Sequence, residues 1–230
     1  MSISILAFDT ATEACSAALL ANGHLYSRFE LAPRQHNRLI LPMIEALLAE
    51  ANMRLADLDA LAFSDGPGSF TGIRIAAGIA QGLALGLNLP VIVVSTLQTL
   101  AQSCYRQFNH PRILAALDAG MSQIYVGGYY INNHNIMEEI YSDRLVNIGD
   151  LPLSEINQDW CYAGMVWQDR SDSLLVGLDE KTATVTPNCF PTAEAIIDLA
   201  RIKFLSADYH PASTIMPNYL RREDVWKKKR

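Results

Sequence analysis

The chain has 230 residues, half of them hydrophobic, enough for two lobes of about 100 residues, each with its own core. Net charge is −6, but the last ten residues carry six basic and two acidic groups, so the body is at −10; that disfavours strong nucleic-acid binding by the body itself. Lysine is absent before Lys181, which removes a P-loop lysine and an early Schiff-base lysine.

Ile3 to Phe8 reads as an apolar strand that ends at Asp9-Thr10-Ala11-Thr12. Cys15 to Ala21 follows as a second strand, Asn22-Gly23 as a hairpin turn and His24 to Leu31 as a third strand. Gln35 to Asn52 carries Ile40, Ile44, Leu47, Leu48 and Ala51 on one helical face, with Pro42 either kinking the helix or preceded by its start near Leu41. Leu58 to Ser64 is a strand. It feeds Asp65-Gly66-Pro67-Gly68-Ser69-Phe70-Thr71-Gly72, a shaped turn with Ser69 or Thr71 placed to cap the next helix.

That helix is unusual. In the seventeen residues from Ile73 to Leu89 only Arg74, Gln81 and Asn88 are strongly polar, and they fall seven apart in one stripe. Gly78, Gly82 and Gly86 form one ridge, Ile75, Ile79, Leu83 and Leu87 another. Each interior glycine costs about 1 kcal/mol against alanine. Close approach of a neighbouring backbone is the expected compensation, and a helix apolar nearly all round is expected to be covered on more than one side. A plain core helix is the alternative. Pro90 to Val94 is then a buried strand and Thr96 to Arg106 a short helix.

The opening now repeats. Ile113 to Gly120 copies the first strand and its aspartate turn, with Asp118 placed 109 residues after Asp9, and Gln123 to Tyr130 copies the second strand. Two related lobes are expected, 1–105 and a second, degenerate copy at 106–230 in which the repeat fades after the second strand, with a C-terminal tail that returns to the first. Glu138 to Val146 and Trp160 to Gly164 read as strands, and Pro191 to Phe204 as a helix with proline in its first turn. His210 to Arg230 shows no clear element.

Aspartates at strand ends, in turns of small residues, suit a phosphate-handling cleft in which carboxylates hold Mg²⁺ and backbone N–H groups hold phosphates. Asp9, Thr10, Asp118 and Gly120 are the candidates for weak ATP or ADP binding with Mg²⁺; simple turn capping by aspartate is the alternative. The glycine turn fits neither the P-loop, the dinucleotide fingerprint nor a nucleophile elbow. No two of the five histidines are three, four or five apart, so no local metal motif is present, and His36 reads as a cap or surface residue. The four cysteines are too dispersed for a metal knuckle or redox pair; with no signal peptide and no unbroken membrane span, a reduced, cytoplasmic protein is expected.

Leu6-Ala7-Phe8-Asp9-Thr10-Ala11-Thr12, His36 to Pro42, Gly66 to Arg74, Asp118 to Tyr125 and Pro217 to Arg221 together resemble the bacterial TsaB (YeaZ) family over nearly the whole chain. The resemblance implies an α/β, actin-like (ribonuclease H-like) fold of two duplicated lobes. It implies a part in making N6-threonylcarbamoyladenosine beside the anticodon of tRNAs that read codons beginning with A. The family works as a non-catalytic partner of its catalytic paralogue, TsaD, joined by the small ATPase TsaE, and meets tRNA mainly through that complex. The paralogue's two metal-binding histidines correspond to Thr96 and Leu100, and leucine cannot ligate a metal, so the resemblance names no catalytic residue and no metal here and disfavours the older glycoprotease label. It assigns partner binding to the glycine helix, through Arg74, Ile75, Gly78, Ile79, Gly82, Leu83 and Gly86, with a symmetric homodimer when the chain is alone. An ATPase or phosphotransferase acting through Asp9 and Asp118 is the competing reading.

Overall fold

The computed structural model describes residues 3–151, 160–174, 184–186 and 188–221. Among these, ten strands form two five-stranded sheets. In the first, β1 (Ile5–Asp9) pairs antiparallel with β2 (Ala14–Ala21), which pairs with β3 (His24–Leu31), while β4 (Ala60–Gly66) and β5 (Val91–Ser95) add parallel on the other side. The order is β3-β2-β1-β4-β5. The second sheet, of β6 (Arg112–Gly120), β7 (Gln123–Ile131), β8 (Met137–Asn147), β9 (Cys161–Ala163) and β10 (Thr184–Thr186), has the order β8-β7-β6-β9-β10. It is the same pattern strand for strand, and the repeat seen in the two aspartate turns extends to the whole of each sheet.

Alternation decides which helix covers which face. On the first sheet Leu6, Phe8, Leu61 and Phe63 point to one side and pack with Ile40, Ile44 and Leu47 of α1 (His36–Glu50) and Ala76, Ala80 and Ala84 of α2 (Phe70–Leu87). Ile5, Ala7, Ala60 and Ala62 point to the other side and pack with Ile196, Ile197 and Ala200 of α6 (Ala193–Leu205). On the second sheet Ile113 and Ala115 pack with Leu97, Leu100 and Ala101 of α3 (Thr96–Phe108). Leu114, Ala116 and Tyr162 pack with Trp167 of α4 (Val166–Asp169) and Leu174 of α5 (Ser171–Leu174).

Helices are therefore exchanged across the middle of the chain. α3, from the first half, covers the second sheet, and α6, from the second half, completes the first. They touch through Arg106–Asp198 at 2.6 Å and the Ser103–Thr192 hydroxyls at 3.1 Å.

Several local expectations change. Pro42 lies inside α1, which runs unbroken from His36. Thr192 caps α6 by accepting from the Ala195 amide, so Pro191 precedes the helix rather than opening its first turn. The tail contains a bridge of His210 to Val91, a 3-10 turn at Ala212–Thr214 and a segment that runs back along α2; residues 222–230 lie outside the described residues. Cysteines dispersed in sequence converge in space: Cys104 and Cys161 have their sulfurs 3.8 Å apart in the core of the second sheet, where Cys189 is also buried.

Candidate functional site

Two regions draw the predicted site residues. The first is the cleft at the carboxyl ends of β1 and β6. Thr10 Oγ1 donates to the Gly72 carbonyl at 2.7 Å, and the Ser69 amide donates to Ala11 at 2.8 Å, so the turn after β1 is clamped to the start of α2. The clamp needs glycine. A Cβ on Gly72 would stand 1.9 Å from the Thr10 oxygen and one on Gly68 2.5 Å from the Ala11 oxygen. Ser69 provides the cap, its hydroxyl accepting from the Gly72 amide at 3.3 Å.

The cleft itself has a volume of about 960 Å³ and is lined by Thr12, Glu13, Arg34, His36, Asn37, Ser69, Thr71 and Asp118 among others. His36 is buried, with Nε2 3.2 Å from the Ala14 carbonyl, rather than a surface residue.

The two aspartates are not equivalent. Asp9 is fully buried: Oδ1 accepts from the Ala11 amide at 3.1 Å and Oδ2 has no hydrogen-bond partner among the described residues. Burial pushes its carboxyl up to about 7, against the Ser64 hydroxyl and the Ala11 amide, which favour the charged form. Asp9 does not line the cleft, whereas Asp118 does. Asp118 is exposed, accepts from the Gly120 amide at 3.3 Å and is bridged by Arg170 at 3.1 Å. Gly120 takes φ +70° to close that turn. The sequence repeat suggests a matched pair; the fold gives one buried carboxyl and one engaged by an arginine. Among the described residues no three His, Cys, Asp or Glu side chains gather at metal-binding spacing. Thr96 and Leu100 are both fully buried in α3.

The second region is the outer face of α2. Its buried face carries Ile73 and then only small residues, with Ala76, Ala77, Ala80 and Ala84 against the sheet. Ile75, Ile79 and Leu83 are half-buried at the edge of the same core. Gly78, Gly82 and Gly86 are exposed, and a Cβ at any of them would meet nothing within 4 Å. The expectation that α2 is covered on more than one side holds in part: the sheet takes the alanine face and the C-terminal segment meets the helix at Gln81, whose amide donates to the Ile215 carbonyl, but among the described residues nothing lies over the glycine ridge. Leu85 beside it is 69 % exposed. α2 is also the one described helix long and apolar enough, by length and composition, to cross a membrane, yet a third of it is buried against the sheet. Arg74 stands at the head of the ridge, its guanidinium 3.3 Å from the centre of the Phe70 ring and its Nε donating to the Tyr219 hydroxyl at 2.7 Å.

A family model described as TsaD: tRNA N6-adenosine threonylcarbamoyltransferase matches residues 29–227. The chain is 40 % identical to the tRNA threonylcarbamoyladenosine biosynthesis protein TsaB of Escherichia coli (strain K12), over 97 % of each chain. It is 37 % identical to the protein of the same name from Haemophilus influenzae, over 98 % of this chain and 97 % of the relative. Among solved structures, YeaZ from Pseudomonas aeruginosa superposes with a TM-score of 0.86 at 36 % identity, covering 95 % of this chain and all of that one. Twin sheets of one topology, the glycine turn clamped under the first strand and likenesses that run from end to end lead to one conclusion: the chain belongs to the TsaB (YeaZ) family of tRNA threonylcarbamoyladenosine biosynthesis proteins, with the actin-like α/β fold.

Proposed function

We propose that this chain is a non-catalytic subunit that docks through the outer face of α2, with α1 beside it, onto a TsaD-type threonylcarbamoyltransferase. A TsaE-type ATPase joins the pair, and tRNA meets the assembly mainly on the catalytic subunit. The observation that carries this reading is the Gly78/Gly82/Gly86 ridge. Three exposed glycines in one helix sacrifice about 3 kcal/mol of intrinsic helix preference, and nothing among the described residues approaches them in return. A partner helix that packs closely on the ridge supplies the missing compensation. Half-buried Ile75, Ile79 and Leu83 on one side and Leu85 on the other give it apolar walls. Without the partner, the same face pairs with a second copy about a two-fold axis.

The non-catalytic part of the reading rests on chemistry. Thr96 and Leu100 stand where the paralogue's metal-binding histidines are expected, and Leu100 is committed to the second core. Asp9 is fully buried and is not among the residues that line the cleft, which weighs against its use as one of the two carboxylates the phosphotransferase reading requires.

Light-scattering mass of the chain alone and mixed with its TsaD-type partner tests the proposal. A one-to-one complex that replaces a homodimer is expected, with no ATP turnover by the isolated chain. Absence of a complex even with ATP and the small ATPase present would overturn it.

A further inference from the structure

The last described residues are tied to both halves of the molecule. Gln81 of α2 donates to the Ile215 carbonyl at 2.9 Å, and the Asn218 amide donates to the Asp65 carbonyl at the end of β4 at 2.8 Å. Tyr219 takes the hydrogen bond from Arg74, and its ring lies 6.0 Å from that of Phe70. Gly66 leaves the room this requires, since a Cβ there would stand 2.6 Å from the Asn218 oxygen. Two residues further on, Arg221 reaches the second sheet. Its guanidinium donates to the Ala119 carbonyl at 2.8 Å and to Gln123 Oε1 at 2.9 Å, the two sides of the β6–β7 turn.

We propose that Ile215–Arg221 is a strap that couples the outer face of α2 to the β6–β7 turn, so that displacement of one is transmitted to the other. The segment is short and lacks regular secondary structure, and it is anchored to the first sheet and α2 in its first five residues and to the second sheet at its last. A body that shifts Arg74 therefore pulls on Tyr219, and Tyr219 is two residues from the Arg221 anchor. Arg74 lies one helical turn before Gly78, which places the coupling joint at the head of the exposed ridge. The far end bears on the cleft. Asp118 lines both the 960 Å³ cleft and an adjoining cavity of about 330 Å³ whose other walls include Phe70, Arg74, Tyr219 and Arg221. Coupling between such sites is reciprocal, which makes it testable from either end.

The strap is tested first on the free, full-length chain by NMR. Arg74→Ala is expected to speed amide exchange across Ala119–Gln123 by roughly tenfold, Gln123 included although it lies outside the cavity that Arg74 shares with Ala119 and Met121, the size of a coupling in the usual range. Arg221→Ala is expected to remove protection from the Arg74 Nε–H. Tyr219→Phe, which deletes only one hydroxyl, gives the Ala119–Gln123 effect in weaker form and guards against an unfolded variant. Changes confined to the neighbourhood of each substitution would overturn the coupling, with or without a partner. A second arm rests on the docking reading: adding the TsaD-type partner is expected to alter exchange at Ala119–Gln123 in the natural chain and not in Arg221→Ala. Equal responses in the two would overturn transmission of docking through the strap. A partner that fails to bind refutes the docking reading, while the free-chain arm still decides the strap.

Discussion

Replacing Gly82 with leucine has two consequences of opposite sign. Gly82 lies inside α2 and nothing stands within 4 Å of its missing Cβ. The isolated chain therefore gains the difference in helix preference, about 0.8 kcal/mol, which in a protein of this length raises Tm by roughly 2–3 °C. At a docked interface the new side chain occupies the space a partner's backbone needs. Overpacking of that kind costs roughly 1–3 kcal/mol, or a Kd weakened about 5- to 150-fold. Urea unfolding at several protein concentrations measures the first effect and separates it from any homodimer, whose presence makes the midpoint concentration-dependent and whose loss removes that dependence. Titration against the TsaD-type partner measures the second. A destabilised variant would mean that the ridge is packed by the chain's own atoms. A stabilised variant with an unchanged Kd would remove the ridge from the interface.

Gly72→Ala is the internal contrast: its Cβ would stand 1.9 Å from the Thr10 oxygen, so a loss of roughly 1–3 kcal/mol is expected, read as a lower urea midpoint at unchanged slope. Asp9→Asn tests the buried carboxyl. Its pKa rises from 3.8 to about 7 on folding, so the folded state holds the extra proton between those values and stability falls as pH rises from about 4 to about 7. Asp65, also pushed up to about 7 chiefly by burial, adds to the slope in the same sense. The variant is expected to match the natural chain near pH 4 and exceed it at pH 8 by on the order of 4 kcal/mol; a difference that does not widen with pH would mean the site is not desolvated. Thr192→Ala removes the cap of α6 and is expected to lower stability by about 1 kcal/mol, seen as faster amide exchange in the first turn of that helix.

What the sequence made legible was mostly local. The Asn22-Gly23 hairpin forms with both residues at positive φ, and the strands flanking each aspartate turn pair as their alternation requires. The repeat pointed to two duplicated units, because strand–turn–strand units carry their own pairing information, but it was read as fading in the second half, whereas the second sheet matches the first strand for strand. What it could not convey was environment. Asp9 and Asp118 occupy matching positions, yet β1 is covered by helices from both faces and the end of β6 is open, so one carboxyl is buried and the other is not. The exposure of α2 was misjudged for a related reason. An apolar helix face looks the same in sequence whether its own chain or another molecule covers it, and among the described residues the glycine ridge of α2 found no internal neighbour. No periodicity announces that α6 belongs to the first sheet, nor that Cys104, Cys161 and Cys189 meet; both depend on contacts between residues far apart in the chain.

The exchange of α3 and α6 sets an order on synthesis. One face of the first sheet, with Ile5, Ala7, Ala62 and Ile92, is finished only when α6 is made, at Leu205. Its last strand, β5, is complete at Ser95. At translation rates of roughly 5–20 residues per second, the ribosome presents that apolar face uncovered for about 5–20 s. A nascent chain stalled between these points carries an open β-surface, which makes this interval the one in which chaperone capture and aggregation compete with folding.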